Sequence, residues 1–210
     1  TYLMMILVML LWGFNVPTLK ILVSHVLPVT VTSLRIFVAG VSVFIILFIM
    51  KLVRKPTLTE WKYIIFGCLL NVVSHHYFLS VGLKHTTATN GGLILGTGPL
   101  LTAILSLVIL KNRPTFVRTL GFLLGSAGVF ITVLSGEKGF SGLSIGDLFI
   151  FIAIVSQALS FIIISKAART LDPRLLTGYM FVFGSIILFV ISLVIEPGAL
   201  KEMVEMPLAI

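Results

Sequence analysis

The residues best able to do chemistry lie together in one apolar stretch. Asn71, Ser74, His75, His76 and Tyr77 fall within two helical turns of each other. At helical spacing Asn71, His75, Phe78 and Gly82 share one stripe. His75 stands eight residues from the end of the stretch, about 12 Å at helical rise, and so near the middle of a bilayer. An imidazole at that depth can hydrogen-bond a substrate or carry a coupling proton, because histidine titrates near neutrality. It can equally be a neutral ring bonded to a neighbouring carbonyl. Adjacent histidines are expected on different sides of a helix, and the spans offer no carboxylate beside them, so no metal and no cofactor are expected. Ser74 with His75 or His76 is the nearest approach to a nucleophile and base. Neighbours on a helix cannot readily bond side chain to side chain, so an intramembrane enzyme is the weaker alternative.

Other polar groups recur at similar depth. Trp12 and Asn15 are three apart and share a helix face, and Pro17 should kink that helix. Asn90, Thr97 and Pro99 belong to a stretch with Gly96 and Gly98, in which backbone hydrogen bonds are weakened or lost. Lipid cannot satisfy a freed carbonyl, so that stretch is expected to be enclosed by protein or to face a wet cavity. Ser156, Gln157 and Ser160 bring polar atoms to depth on a later helix, and Tyr179 on the last one could close the same cavity. Arg35 is expected to snorkel toward water or to attract anions at a cavity mouth. The glycines Gly92, Gly96, Gly121, Gly125 and Gly128 read as packing seams, because small residues let helices approach.

The elements that must hold these residues are membrane helices. The chain is 58% hydrophobic and 10% charged over 210 residues, where a soluble domain carries about 25% charge. Mean hydropathy is +1.18. Seven spans are predicted: Leu3–Val23, Val29–Met50, Tyr63–Leu83, Ala88–Leu110, Val117–Ser135, Asp147–Lys166 and Leu175–Ile195. Ten of the fifteen Lys and Arg flank the loops after spans two, four and six, from Lys51 and Arg54 through Lys111, Arg113 and Arg118 to Arg174. Lys20, Arg35, Lys84, Lys138 and Lys201 make up the other side. That bias puts the N-terminus in the cytoplasm and the tail with Glu196, Glu202 and Glu205 outside. The net charge of +8 is thus topological, and nucleic acid is not an expected partner. Cys68 is the single cysteine and lies in an apolar run, so no internal disulfide forms. No signal peptide is expected. The chain starts at Thr1, almost within a span, and its ends are expected to be cut.

A shift of 145 residues aligns Pro28 with Pro173, Thr32 with Thr177, Phe44 with Phe189, Ile46 with Ile191, and Trp12 with Gln157. A repeat restarting after five crossings must run in the opposite orientation. Residues 1–136 then form a first five-helix repeat and residues 137–210 the start of a second, inverted one, with three helices lacking.

Trp12-Gly13-Phe14-Asn15 resembles an element of the drug/metabolite transporter superfamily, specifically its EamA-type permeases. The resemblance continues through Leu34-Arg35 with Ala39 and Gly40, Gly82-Leu83-Lys84-His85-Thr86-Thr87-Ala88, Pro99, and Arg113 to Gly128. It runs along nearly the whole chain. Departures are Asn112 where the family often has Glu, His85 for an aromatic residue, and Gly82 for alanine. The resemblance implies ten helices as two inverted five-helix repeats, and a substrate such as an amino acid or related compound. The expected protein is therefore an all-α, polytopic helical bundle in the cell membrane. It would be a permease or exporter moving a small molecule by alternating access, its coupling ion a proton if any. The cavity lining is expected from Trp12, Asn15, Asn71, His75, His76, Asn90, Thr97, Pro99, Gln157, Ser160 and Tyr179. Small multidrug exporters of the superfamily use an intramembrane Glu, and nothing equivalent stands here. A receptor or assembly subunit is a further alternative, though no loop is long enough for a soluble domain.

Overall fold

The structure, a computed structural model, describes residues 2–111, 115–135, 144–199 and 201. Its described elements are helices: α1 (Tyr2–His25), α2 (Pro28–Ile49), α3 (Leu58–Gly67), a π-helical segment (Cys68–Ser74), α4 (His75–His85), α5 (Ala88–Gly96), α6 (Gly98–Leu110), α7 (Phe116–Ser135), α8 (Ile145–Ala167) and α9 (Pro173–Ile195). Six helical stretches are long and apolar enough to cross a membrane among the described residues, α3 to α4 and α5 to α6 each counting as one. The remaining long helix, α7, has 20 residues and occupies the fifth predicted span. The chain is an all-α, multi-pass membrane protein. Asn112, Arg113, Lys138, Glu202, Glu205 and the repeat boundary at 136–137 lie outside the described residues.

The helix ends follow local chemistry. α3 starts five residues before the expected Tyr63, because Thr57 and Glu60 form a reciprocal capping box. The Glu60 carboxylate is therefore buried in a helix end. Arg54 grips it with two bonds of 2.8 and 2.6 Å and also donates to the Thr170 carbonyl at 3.0 Å. Ser144 and Asp147 make the equivalent box on α8. α1 runs unbroken across Pro17.

α2 has Pro28 in its first turn and no side-chain cap of its own. Glu196, just beyond α9, supplies it: one carboxylate oxygen accepts from the Val29 N–H at 2.9 Å, the other from the Thr30 N–H and hydroxyl at 2.8 and 2.7 Å. An anion at a helix N-terminus also complements the dipole. α2 and α9 pack along their length. Their backbones close up where Gly40 meets Phe181 and Val182 and where Gly178 meets Val43 and Phe44.

α4 crosses α8 more tightly still. A Cβ built on Gly82 would stand 2.9 Å from the Gly146 carbonyl oxygen, and one on Gly146 would stand 2.5 Å from the Gly82 carbonyl oxygen. Glycine at both positions is what permits this backbone-on-backbone contact, which accounts for Gly82 in place of alanine. The expected seams are elsewhere. A Cβ at Gly92, Gly121, Gly125 or Gly128 would meet nothing within 4 Å among the described residues.

Gly146→Ala should destabilise the protein by about 1–3 kcal/mol, the usual range for overpacking. Gly121→Ala should leave it unchanged. Thermal unfolding of both variants in detergent reads the difference.

Candidate functional site

The third span is not a uniform α-helix. Cys68–Ser74 is π-helical, a geometry that is rare and concentrates at functional sites. Ser156 on α8 donates its hydroxyl to the Leu70 carbonyl within this segment at 2.8 Å. One turn on, the Asn71 amide donates to the Ser160 hydroxyl at 2.8 Å, which itself donates to the Gln157 carbonyl at 2.6 Å. His75 is buried and bonds through both ring nitrogens: Nδ1 with the Ala153 carbonyl at 3.0 Å, and Nε2 with the Gln157 side-chain nitrogen at 3.2 Å. A carbonyl only accepts and an amide nitrogen only donates. This pair of partners therefore selects a neutral imidazole with its proton on Nδ1. Phe78 meets Phe149, and Gly82 meets Gly146. The stripe of Asn71, His75, Phe78 and Gly82 thus exists, and it faces α8 along a polar seam.

His76 differs from His75. The two rings are edge-to-face with centroids 4.8 Å apart, closer company than their sequence adjacency suggested. Its Nδ1 is buried without a hydrogen-bond partner. Arg35 stands on α2, which packs against α4, and its guanidinium donates to the Asn15 side-chain oxygen at 2.9 Å. It does not snorkel to an aqueous end as expected. An acceptor inside the bundle gives it a partner that lipid cannot. Sequence reasoning left Arg35 out of the site. Its signal was its position, 20 residues after Asn15 and facing it across a two-residue turn.

Two other expected residues, Asn90 and Tyr179, are placed apart from this group. Asn90 is buried at the start of α5, where its amide donates to Asp147 at 3.4 Å. Asp147 is also buried and accepts from the Thr86 hydroxyl at 2.5 Å, so a carboxylate expected only at a span end ties three helix termini together. Lys20 reinforces that end of the bundle by donating to the Leu83 and Lys84 carbonyls at the C-terminus of α4, at 2.7 and 3.4 Å. Tyr179 is at the opposite, basic end. Its hydroxyl donates to the Arg54 carbonyl at 3.0 Å, and its ring packs against Phe44, Trp61 and Phe183.

Thr97 is the interruption between α5 and α6, and it is one residue deep. Its N–H and its hydroxyl both donate to the Ile94 carbonyl, at 3.0 and 2.7 Å. Pro99 falls in the first turn of α6, where a missing N–H costs nothing. Thr97 and Pro99 are exposed, and α6 buries no residue among those described. The expected enclosure is therefore not seen there. Beside α5 is an open cavity of about 670 Å³. Trp12, Val16 and Pro17 of α1, Thr89, Gly92 and Leu93 of α5, and Gly125 and Gly128 of α7 line it. Among the expected site residues it takes in Trp12, and the glycines first read as seams give it its width. Among the described residues no group of His, Cys, Asp or Glu could hold a metal ion.

The model of the EamA-like transporter family matches residues 1–134 and 144–208. The uncharacterized transporter YyaM of Bacillus subtilis is 32% identical over 195 residues, covering 88% of this chain and 64% of its own length. The uncharacterized transporter sll0355 of Synechocystis is 28% identical, with 88% and 60% covered. A WAT1-related chloroplastic protein of Arabidopsis thaliana, At3g02690, is 27% identical, with 87% and 45% covered. The chain thus spans less than two thirds of the length of these relatives. A crystal structure at 19% identity shares the fold with a TM-score of 0.67, over 92% of this chain and 71% of that one.

Replacing His75 with Ala strands the Ala153 carbonyl and the Gln157 amide, and should cost about 1–3 kcal/mol. Asn71→Ala should cost less, about 1 kcal/mol, as one interhelical bond in a membrane protein does. Denaturation in mixed micelles ranks the two.

Proposed function

The chain belongs to the EamA-like transporter family, and from that membership we propose that it is part of a transmembrane permease that moves a small metabolite by alternating access. The observation that carries this reading is the cavity between α1, α5 and α7, beside a helix interrupted at Thr97 and lined by Trp12. The lining is mostly apolar, which suits an amphiphilic metabolite such as an amino acid or related compound. It does not suit a multiply charged phosphate, which would call for several buried cations.

Two oppositely oriented repeats, residues 1–136 and 137–210, belong to the same proposal. The 145-residue shift carries α2 onto α9 with both helices starting at a proline, Pro28 and Pro173. It also carries α1 onto α8, and Trp12 and Asn15 onto Gln157 and Ser160. One family model matches in both stretches. In an inverted pair, α2 and α9 would face each other across the axis, and they do pack together. The reading puts the N-terminus and the basic end, with Lys51, Arg54 and Lys55, in the cytoplasm, and the plasma membrane is the membrane proposed. A coupling proton has its open seat at His76, since both nitrogens of His75 are engaged.

Reconstituted full-length protein should show saturable uptake from a metabolite panel, and Trp12→Ala should lower it at least about tenfold. Ligand binding without flux would instead favour a receptor. If a proton is coupled, the pH-gradient dependence of uptake should vanish in His76→Gln, and an unchanged profile removes the proton. Cys68 is buried, so single cysteines introduced at the exposed positions Lys55 and Lys84 report orientation. An impermeant thiol reagent added to intact cells should label position 84 and not position 55.

A further inference from the structure

Arg35 stands in a membrane-spanning helix and donates to a neutral side chain, Asn15. Among the described residues the ion pairs are Arg54 with Glu60 and Arg174 with Asp172, and both lie at the basic end. A guanidinium carries five donors in a fork shaped for a carboxylate, so most of its bonding capacity is unspent. Two buried polar atoms nearby are also unspent. The Thr32 hydroxyl, one turn before Arg35 on α2, is 1% exposed and has no partner. The Nδ1 of His76, on α4 where that helix packs against α2, is likewise without one. An unpaired cation at depth and orphaned buried groups are each unfavourable. All are relieved by one anion.

We propose that Arg35, with Asn15, Thr32 and His76 around it, is the docking point for the carboxylate of the transported metabolite. This rests on the transport reading and supplies its substrate class: a monocarboxylate or zwitterion with an apolar body. One guanidinium matches one negative charge, which disfavours a phosphate dianion. Asn15 shares a face of α1 with Trp12, about 4.5 Å along the axis, so a carboxylate at Arg35 leaves the apolar part of the ligand beside the Trp12 cavity. Asn15 holds the guanidinium in place meanwhile.

Four probes with the same isobutyl group separate the charges: L-leucine, 4-methylpentanoate, L-leucinamide and 3-methylbutylamine. Ligand-induced thermal stabilisation of the detergent-solubilised full-length protein measures binding, and counterflow in vesicles measures transport. The proposal expects the two carboxylates to stabilise the wild type and the amide and amine to fail. Arg35→Gln should weaken carboxylate binding at least about tenfold, while Arg35→Lys, which keeps the charge and loses the fork, should lie between. A merely structural Arg35 would change the melting temperature of the unliganded protein without changing the preference of L-leucine over L-leucinamide. Equal binding of those two by the wild type overturns the proposal, as does wild-type affinity for L-leucine in a folded Arg35→Gln. Stronger stabilisation by inorganic phosphate than by either carboxylate, or no stabilisation by the carboxylates, overturns it too. Carboxylate binding without counterflow would sink the transport reading and leave the Arg35 site standing.

Discussion

A peptide group inside hydrocarbon has no water to bond, so each irregularity in a spanning helix must find its partner within the protein. The architecture follows from how this chain meets that demand. At the π-helical segment the answer is a side chain from another helix, Ser156 reaching the Leu70 carbonyl. At Thr97 it is the residue's own hydroxyl, doubling up on Ile94. At the start of α2 it is Glu196, brought back from the far end of α9. The first and last of these fix one helix against another, and the polar chemistry of the site is a continuation of the same bonding.

The seam between the π segment, α4 and α8 illustrates the economy of that arrangement. Gly82 and Gly146 bring two backbones into contact at one end. Below them His75, Gln157, Asn71 and Ser160 bond to one another and to the Ala153 and Gln157 carbonyls. Both ring nitrogens of His75 are engaged in that seam. What stays unsaturated is the neighbouring group on α1, α2 and α4, where Arg35 and His76 have bonds to give. Function is read there because the rest is already satisfied.

The sequence disclosed the helices well and the partners poorly. Apolar length placed every span within a few residues, and the Asn71–Gly82 stripe was legible because it depends on periodicity alone. The start of α3 was missed because a capping box, Thr57 with Glu60, outweighs the onset of the apolar run. Asn90, Asp147 and Tyr179 were set in or near the cavity, or left at a span end, since depth was the only coordinate available. Their true neighbours, Thr86 and the Arg54 carbonyl, come from tertiary packing. Gly125 and Gly128 show the same limit from the other side: small residues permit close approach without requiring it, and here they open a cavity. The π geometry of Cys68–Ser74 left no mark that periodicity could detect.

Alternating access requires the end of the bundle held by Asp147, Thr86 and Asn90 to open, since these bonds join α8 to α4 and α5. Cysteines placed at Thr86 and Asp147, whose side chains now meet at 2.5 Å, can be joined by oxidation and released by reduction. The most direct measurement is substrate flux through vesicles carrying that pair in the full-length protein, before and after oxidation. The account predicts that flux stops in the oxidised protein and returns on reduction. Undiminished flux through the cross-linked protein would contradict it.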